Sequence, residues 1–167
     1  MTIEDQDFLK ENTDTVQQMR TIPALESFSE SDLRQLLAVS SIIDYRDGDL
    51  ILSEDNASDD QVFYLISGKV KVMKGGRELI VLRRTGDVFG EIGVITGVAR
   101  SASVFSAGRT TCLVVKVSHI DHLDETSRLT FKYLIYRSFA EIMANRLKKT
   151  TADLMAARQE IEHLRTK

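Results

Sequence analysis

Tryptophan is absent from this sequence, and cysteine and proline occur once each, at Cys112 and Pro23. A lone cysteine cannot close an internal disulfide, so the core alone must hold the fold, as suits a reducing compartment. No stretch approaches the roughly 20 uncharged apolar residues that a membrane-spanning helix needs. Met1 to Asp14 carries acids where a signal peptide has a basic start and an apolar run, so a cytoplasmic protein with no membrane partner is expected. Aromatics are sparse at 7%, yet 43% of the residues are hydrophobic, which excludes wholesale disorder and fibrous architectures. The 167 residues suit one compact domain with some excess and are too few for two full ones.

Charge excess is small as well. Twenty-two basic residues against 25 acidic ones leave −3, which gives no overall case for binding nucleic acid. The distribution says more than the sum: from Ser127 to Lys167 nine basic residues stand against four acidic ones, so that stretch is +5 and the preceding 126 residues are −8.

The texture of the chain changes twice. Residues 1–40 form an N-terminal helical segment, with Leu33, Leu36 and Leu37 at helical spacing, Ser29 and Asp32 as a cap, and Pro23 between two pieces. Residues 41–126 hold short apolar runs separated by turns such as Arg46-Asp47-Gly48-Asp49, Ser67-Gly68 and Thr85-Gly86-Asp87. In Lys69 to Lys74, valines alternate with lysines, and Gly75-Gly76 offers a tight hairpin into Glu78 to Leu82. About seven such strands, too close together for parallel crossovers, predict an antiparallel sandwich or small barrel. A metalloenzyme on such a barrel would need strand histidines, and residues 42–117 contain none. His119 and His122 have a metal-like spacing but no third ligand, so no metal is expected. Cys112, in Thr111 to Val115, reads as a buried strand residue rather than a reactive thiol.

Residues 127–167 contain neither glycine nor proline and read as one long helix of roughly 60 Å, at 1.5 Å per residue. Tyr136, Ala140, Met143, Leu147, Thr150, Leu154, Ala157, Ile161 and Leu164 follow the alternating four-three spacing of a two-stranded coiled coil. A homodimer through residues 127–167 is therefore expected, against the alternative that the helix folds back onto its own domain. Thr150 is polar within that seam and costs stability unless its hydroxyl finds a partner; register specification is the plain alternative.

The stretch from Gly86 to Val104 carries the chemistry. It has glycines at 86, 90, 93 and 97, Glu91 beside one of them, and Arg100 followed by the small Ser101 and Ala102. Such glycines let backbone N–H groups approach a ligand, and a short helical turn beginning near Glu91 would aim its amides at an anion. Arg100 offers forked donors for a phosphate, whereas Glu91 suits a sugar hydroxyl, so the pair suggests a ligand with both groups. A structural Glu91–Arg100 salt bridge remains the alternative on these residues alone.

Phe89-Gly90-Glu91-Ile92-Gly93 to Arg100-Ser101-Ala102-Ser103-Val104 resembles the phosphate-binding cassette of cyclic nucleotide-binding domains. Phe63 to Val70 and Arg46 to Ile51 resemble the strands before it, so residues 22–125 are covered. The resemblance implies a mainly β fold with α-helices: an antiparallel jelly roll, or double-stranded β-helix, flanked by N-terminal helices and a long C-terminal helix. It also implies that Glu91 and the Gly90 amide take the ribose 2′-hydroxyl, that Arg100 pairs with the cyclic phosphate, and that Phe89, Ile92, Ser101 and Ala102 line the ligand. Ala144 to Thr151 resembles the dimer helix of the catabolite-activator members, which places Thr150 and Thr151 at the adenine and Arg146 beside Glu91. Two positions depart from the pattern: Val98-Ala99 replaces the common proline before the arginine, and Gly93 replaces alanine. The function expected is a non-enzymatic sensor of cAMP ahead of cGMP, without cofactors, acting on a downstream protein through the long helix. Ser101 leaves cGMP open. The alternatives are a ligand-free interaction module of the same fold, or a regulator lacking its DNA-binding domain, since no helix-turn-helix fits before Lys167.

Overall fold

The computed structural model describes residues 15–26, 28–54, 56, 60–122 and 125–165. The expected helicity of residues 1–14 lies outside these. Residues 15–20 form α1. Pro23 opens a 3-10 turn, Pro23–Leu25, where its missing N–H costs nothing. Helix α2, Glu30–Ala38, starts at the anticipated cap: the Ser29 hydroxyl accepts from the Asp32 amide, and the Asp32 carboxylate accepts from the Ser29 amide.

Eight strands follow: β1 Ser40–Tyr45, β2 Leu50–Leu52, β3 Gln61–Ser67, β4 Val70–Lys74, β5 Arg77–Leu82, β6 Val88–Phe89, β7 Ser103–Ser106 and β8 Thr110–Lys116. They form two four-stranded sheets, β1-β8-β3-β6 and β2-β7-β4-β5, with every pairing antiparallel. This is the expected jelly roll. The predicted hairpin joins β4 to β5, with Gly75 and Gly76 at φ 53° and 75°, the positive pair that a tight hairpin turn requires. Three helices complete the described chain: α3 Glu91–Thr96, α4 Val117–Ile120 and α5 Glu125–Arg165. Helix α5 runs unbroken for 41 residues.

The two sheets differ in how they meet the core. The first is covered on both faces, so Val62 to Leu65 on β3 and Cys112 to Val115 on β8 are consecutive buried residues. Its inner face packs on the second sheet through Phe63, Leu65, Val70, Leu82, Val104 and Cys112. Its outer face packs on α1, α2 and α5 through Tyr64, Leu113, Met19, Leu33, Leu36, Phe131 and Phe139. Burial pushes the Cys112 thiol up to about 12, so it stays protonated and inert, as a structural strand residue should. The jelly roll and the first half of α5 thus share one sheet as common ground.

Candidate functional site

The site begins where β6 ends. Phe89 lies opposite Phe63 across the β3–β6 ladder, and the two rings stack with centroids 5.0 Å apart. That contact fixes the chain entering Gly90, whose φ of 85° turns it sharply into α3. A Cβ at Gly90 would lie 2.9 Å from Arg100 Nη1 and 3.1 Å from the Gln61 carbonyl oxygen, so close approach as well as the angle demands glycine there.

Arg100 folds inward and is 5% exposed. Its Nη1 donates to the Gly90 carbonyl at 2.5 Å and its Nη2 to the Gln61 carbonyl at 2.9 Å, which ties the segment after α3 to β3 and β6. Glu91, the first residue of α3, is 2% exposed. Its ion-pair partner comes from α5: Arg146 Nη1 donates to Glu91 Oε1 at 2.5 Å, and Arg146 Nη2 donates to the Val88 carbonyl. Burial pushes the Glu91 carboxyl above its ordinary value of 4.5, and the Arg146 guanidinium offsets part of that rise.

Between these groups lies a cavity of about 640 Å³, within the roughly 300–1,000 Å³ typical of small-molecule sites. One wall is apolar, formed by Leu52, Val72, Leu79, Ile80, Leu82 and Val104. The floor is Phe89, Gly90, Glu91, Ile92 and Gly93 with Arg100, Ser101 and Ala102 beside it. Helix α5 passes over the opening with Arg146, Lys149, Thr150 and Asp153. The cavity therefore has a charged, hydrogen-bonding end and an apolar slot capped by a polar helix face. That arrangement suits a ligand with a flat apolar part and an anionic, hydroxylated part.

The structure brings together nine of the ten residues singled out in the sequence: Phe89, Gly90, Glu91, Ile92, Arg100, Ser101, Ala102, Arg146 and Thr150 all line this cavity. Thr151 does not line it. On α5 it is the next residue round the helix from Thr150, about 100° further from the side that carries Arg146, Lys149 and Asp153, and it is exposed. The sequence reading missed Lys149 and Asp153, which their spacing of three and seven residues from Arg146 places on its face. It also missed that Leu79 and Ile80, adjacent on β5, both line the slot. The register shifts between Val72 and Met73: Val72 pairs with Ile80 and Met73 with Glu78, leaving Leu79 as an extra residue, so alternation fails there. His119 and His122 have ring centroids 6.4 Å apart, and no cluster of three metal-ligating groups occurs among the described residues.

Comparison with known proteins decides the family. Residues 42–127 match the cyclic nucleotide-binding domain model. The chain belongs to the cyclic nucleotide-binding domain family. A cGMP-dependent protein kinase of Toxoplasma gondii is 30% identical over 106 residues, 63% of this chain and 10% of that protein, so the chain spans about a tenth of that relative. The catabolite activator protein of Thermus thermophilus is 21% identical, with a TM-score of 0.61 over 79% of this chain and 61% of that one. A cyclic nucleotide-binding domain of a protein kinase A regulatory subunit, with the analogue Sp-2Cl-cAMPS bound, is 18% identical, with a TM-score of 0.63 over 87% of this chain and 92% of that one. At these identities the two structures establish a shared fold. No helix among the described residues is long and apolar enough to cross a membrane.

Proposed function

We propose that this cyclic nucleotide-binding domain is a non-catalytic sensor that takes cAMP ahead of cGMP and reports occupancy through the packing of α5. The observation that carries this is that buried Glu91 and Arg100 line one open cavity together with Arg146, Lys149, Thr150 and Asp153 of α5. Arg100 supplies positive charge for a cyclic phosphate, and Glu91 accepts from the ribose 2′-hydroxyl. The apolar slot between Val72, Ile80 and Leu82 receives the purine, and the Thr150 hydroxyl reaches its edge. Because Arg146 and Thr150 sit on α5 while Glu91 and Arg100 sit on the jelly roll, a ligand touching both binds the closed arrangement more tightly than an open one.

Ligand binding also has to compete with protein contacts already made. The Arg100 guanidinium already serves two carbonyls and Glu91 already pairs with Arg146, which favours a second reading, a module that needs no ligand. Thermal melting separates the two. A saturating nucleotide at about 100 times its dissociation constant stabilises by about 2.7 kcal/mol. The sensor reading expects a clear rise in Tm with cAMP, a smaller one with cGMP at equal concentration, and none with 5′-AMP. An unchanged Tm with both cyclic nucleotides establishes the ligand-free module instead.

A further inference from the structure

Where α5 lies on the jelly roll, its contact face is built from Phe131, Ile135 and Phe139, each at most 4% exposed, with Ile142 packed beside them. Among the described residues, Ser138 is the one buried polar side chain on this helix, and it stands within that apolar stripe. Opposite it is Tyr64 of β3, 1% exposed, on the outer face of the first sheet. The two hydroxyls face each other across the contact between sheet and helix, and their bonding is unequal. The Ser138 hydroxyl donates its hydrogen to the Ile135 carbonyl at 2.8 Å, which leaves its oxygen able to accept. The Tyr64 hydroxyl closes no hydrogen bond of normal length among the described residues. Burial pushes this phenol up to about 12, so it keeps its proton and stands ready as a donor at neutral pH. A buried hydroxyl without a bond is unfavourable, and phenylalanine would fill the same space without that cost. A tyrosine there points to a second arrangement of α5 in which its O–H is used.

Tyr64 also adjoins the cavity's ion pair. It pairs with Val88 across the β3–β6 ladder, and the Val88 carbonyl accepts from Arg146, which in turn holds Glu91. On α5, Ser138, Ile142 and Arg146 succeed one another in steps of four, so they rise along one side of an unbroken helix. A shift of the helix at Arg146 therefore carries Ser138 across Tyr64. We infer that Tyr64 and Ser138 are positioning residues for the ligand: in the arrangement of α5 that a bound cyclic nucleotide selects, the Tyr64 O–H donates to Ser138 Oγ and sets where the helix lies over the cavity. Neither residue lines the cavity, so changing them leaves the ligand's own contacts intact. The bond belongs to one arrangement only, so it adds to ligand affinity and contributes nothing to the stability of the unliganded chain. This inference rests on the cyclic nucleotide reading and extends it to residues outside the site.

The test compares the full chain with Tyr64→Phe, Ser138→Ala and the double variant, by calorimetric titration with cAMP and by denaturant unfolding without ligand. Tyr64→Phe should leave the unliganded unfolding midpoint unchanged or higher, because it removes an unbonded hydroxyl. The same variant should raise the cAMP dissociation constant about three- to tenfold, the effect of one net hydrogen bond. Ser138→Ala should raise it by a similar factor, and the double variant by no more than either single change, since both remove the same bond. A Tyr64→Phe chain that loses stability without ligand shows the bond to be present already and overturns the proposal. Losses in affinity that add in the double variant overturn it too. If the parent binds no cyclic nucleotide, the sensor reading fails and this inference with it. If the parent binds and Tyr64→Phe binds equally well, the inference alone is overturned.

Discussion

Burial raises the pKa of the Glu91 carboxyl, and the Arg146 guanidinium beside it offsets part of that rise. Its pKa lies above the ordinary 4.5, so in the window from 4.5 up to that value the folded chain keeps a proton that the unfolded chain has lost. Its contribution to stability therefore falls as the pH rises through the window. Under the proposed function nucleotide affinity runs the other way, because the ribose hydroxyl would donate to the ionised form. Calorimetric titrations from neutral pH down to 4.5 should show affinity dropping earlier than an ordinary glutamate would cause, and Glu91→Gln should flatten the profile. Gly90 is a second test at this scale: Gly90→Ala strains a backbone at φ 85° and pushes a methyl against the Arg100 guanidinium. We expect a loss of about 1–3 kcal/mol in denaturant unfolding, the usual cost of forcing such a conformation, together with weakened binding.

At the scale of elements, α5 is tied to the jelly roll by an apolar anchor and a polar clasp. Phe139, 2% exposed and packed on the first sheet's outer face, should cost about 3–5 kcal/mol as Phe139→Ala. Arg146→Ala should cost about 2 kcal/mol, less than a fully buried pair because the arginine side chain is 36% exposed, and chemical denaturation measures both. These elements were legible to different degrees. The α2 cap, the β4–β5 hairpin and α5 were readable because each is decided by local residues: Ser29 with Asp32, Gly75-Gly76 between alternating strands, and 41 residues free of glycine and proline. The cassette was readable because its glycines, Glu91 and Arg100 are close in sequence. The apolar slot was not, since the bulge at Leu79 depends on pairing with β4. Nor were the Gly90 and Gln61 carbonyls on Arg100, since one of them comes from a strand 39 residues away.

For the whole molecule, the first sheet lies between the inner core and the helical layer, so neither can come apart without exposing it. The jelly roll and the anchored part of α5 should melt in one transition, with far-ultraviolet circular dichroism and near-ultraviolet signals coincident. The outer part of α5, from Leu147 to Leu164, has no such cover in a single chain. Under the proposed function, ligand and helix form one linked system, in which charge at the cassette is read out as the packing of the helix. Everything in that chain depends on Arg100 neutralising a bound phosphate. The most direct measurement is calorimetric titration of the full chain and of Arg100→Ala with cAMP. The account predicts binding to the parent and a loss of roughly 3–5 kcal/mol in the variant, as for breaking a buried charge pair. Equal affinity in the two proteins, or no heat in either beside an unshifted Tm, would contradict it.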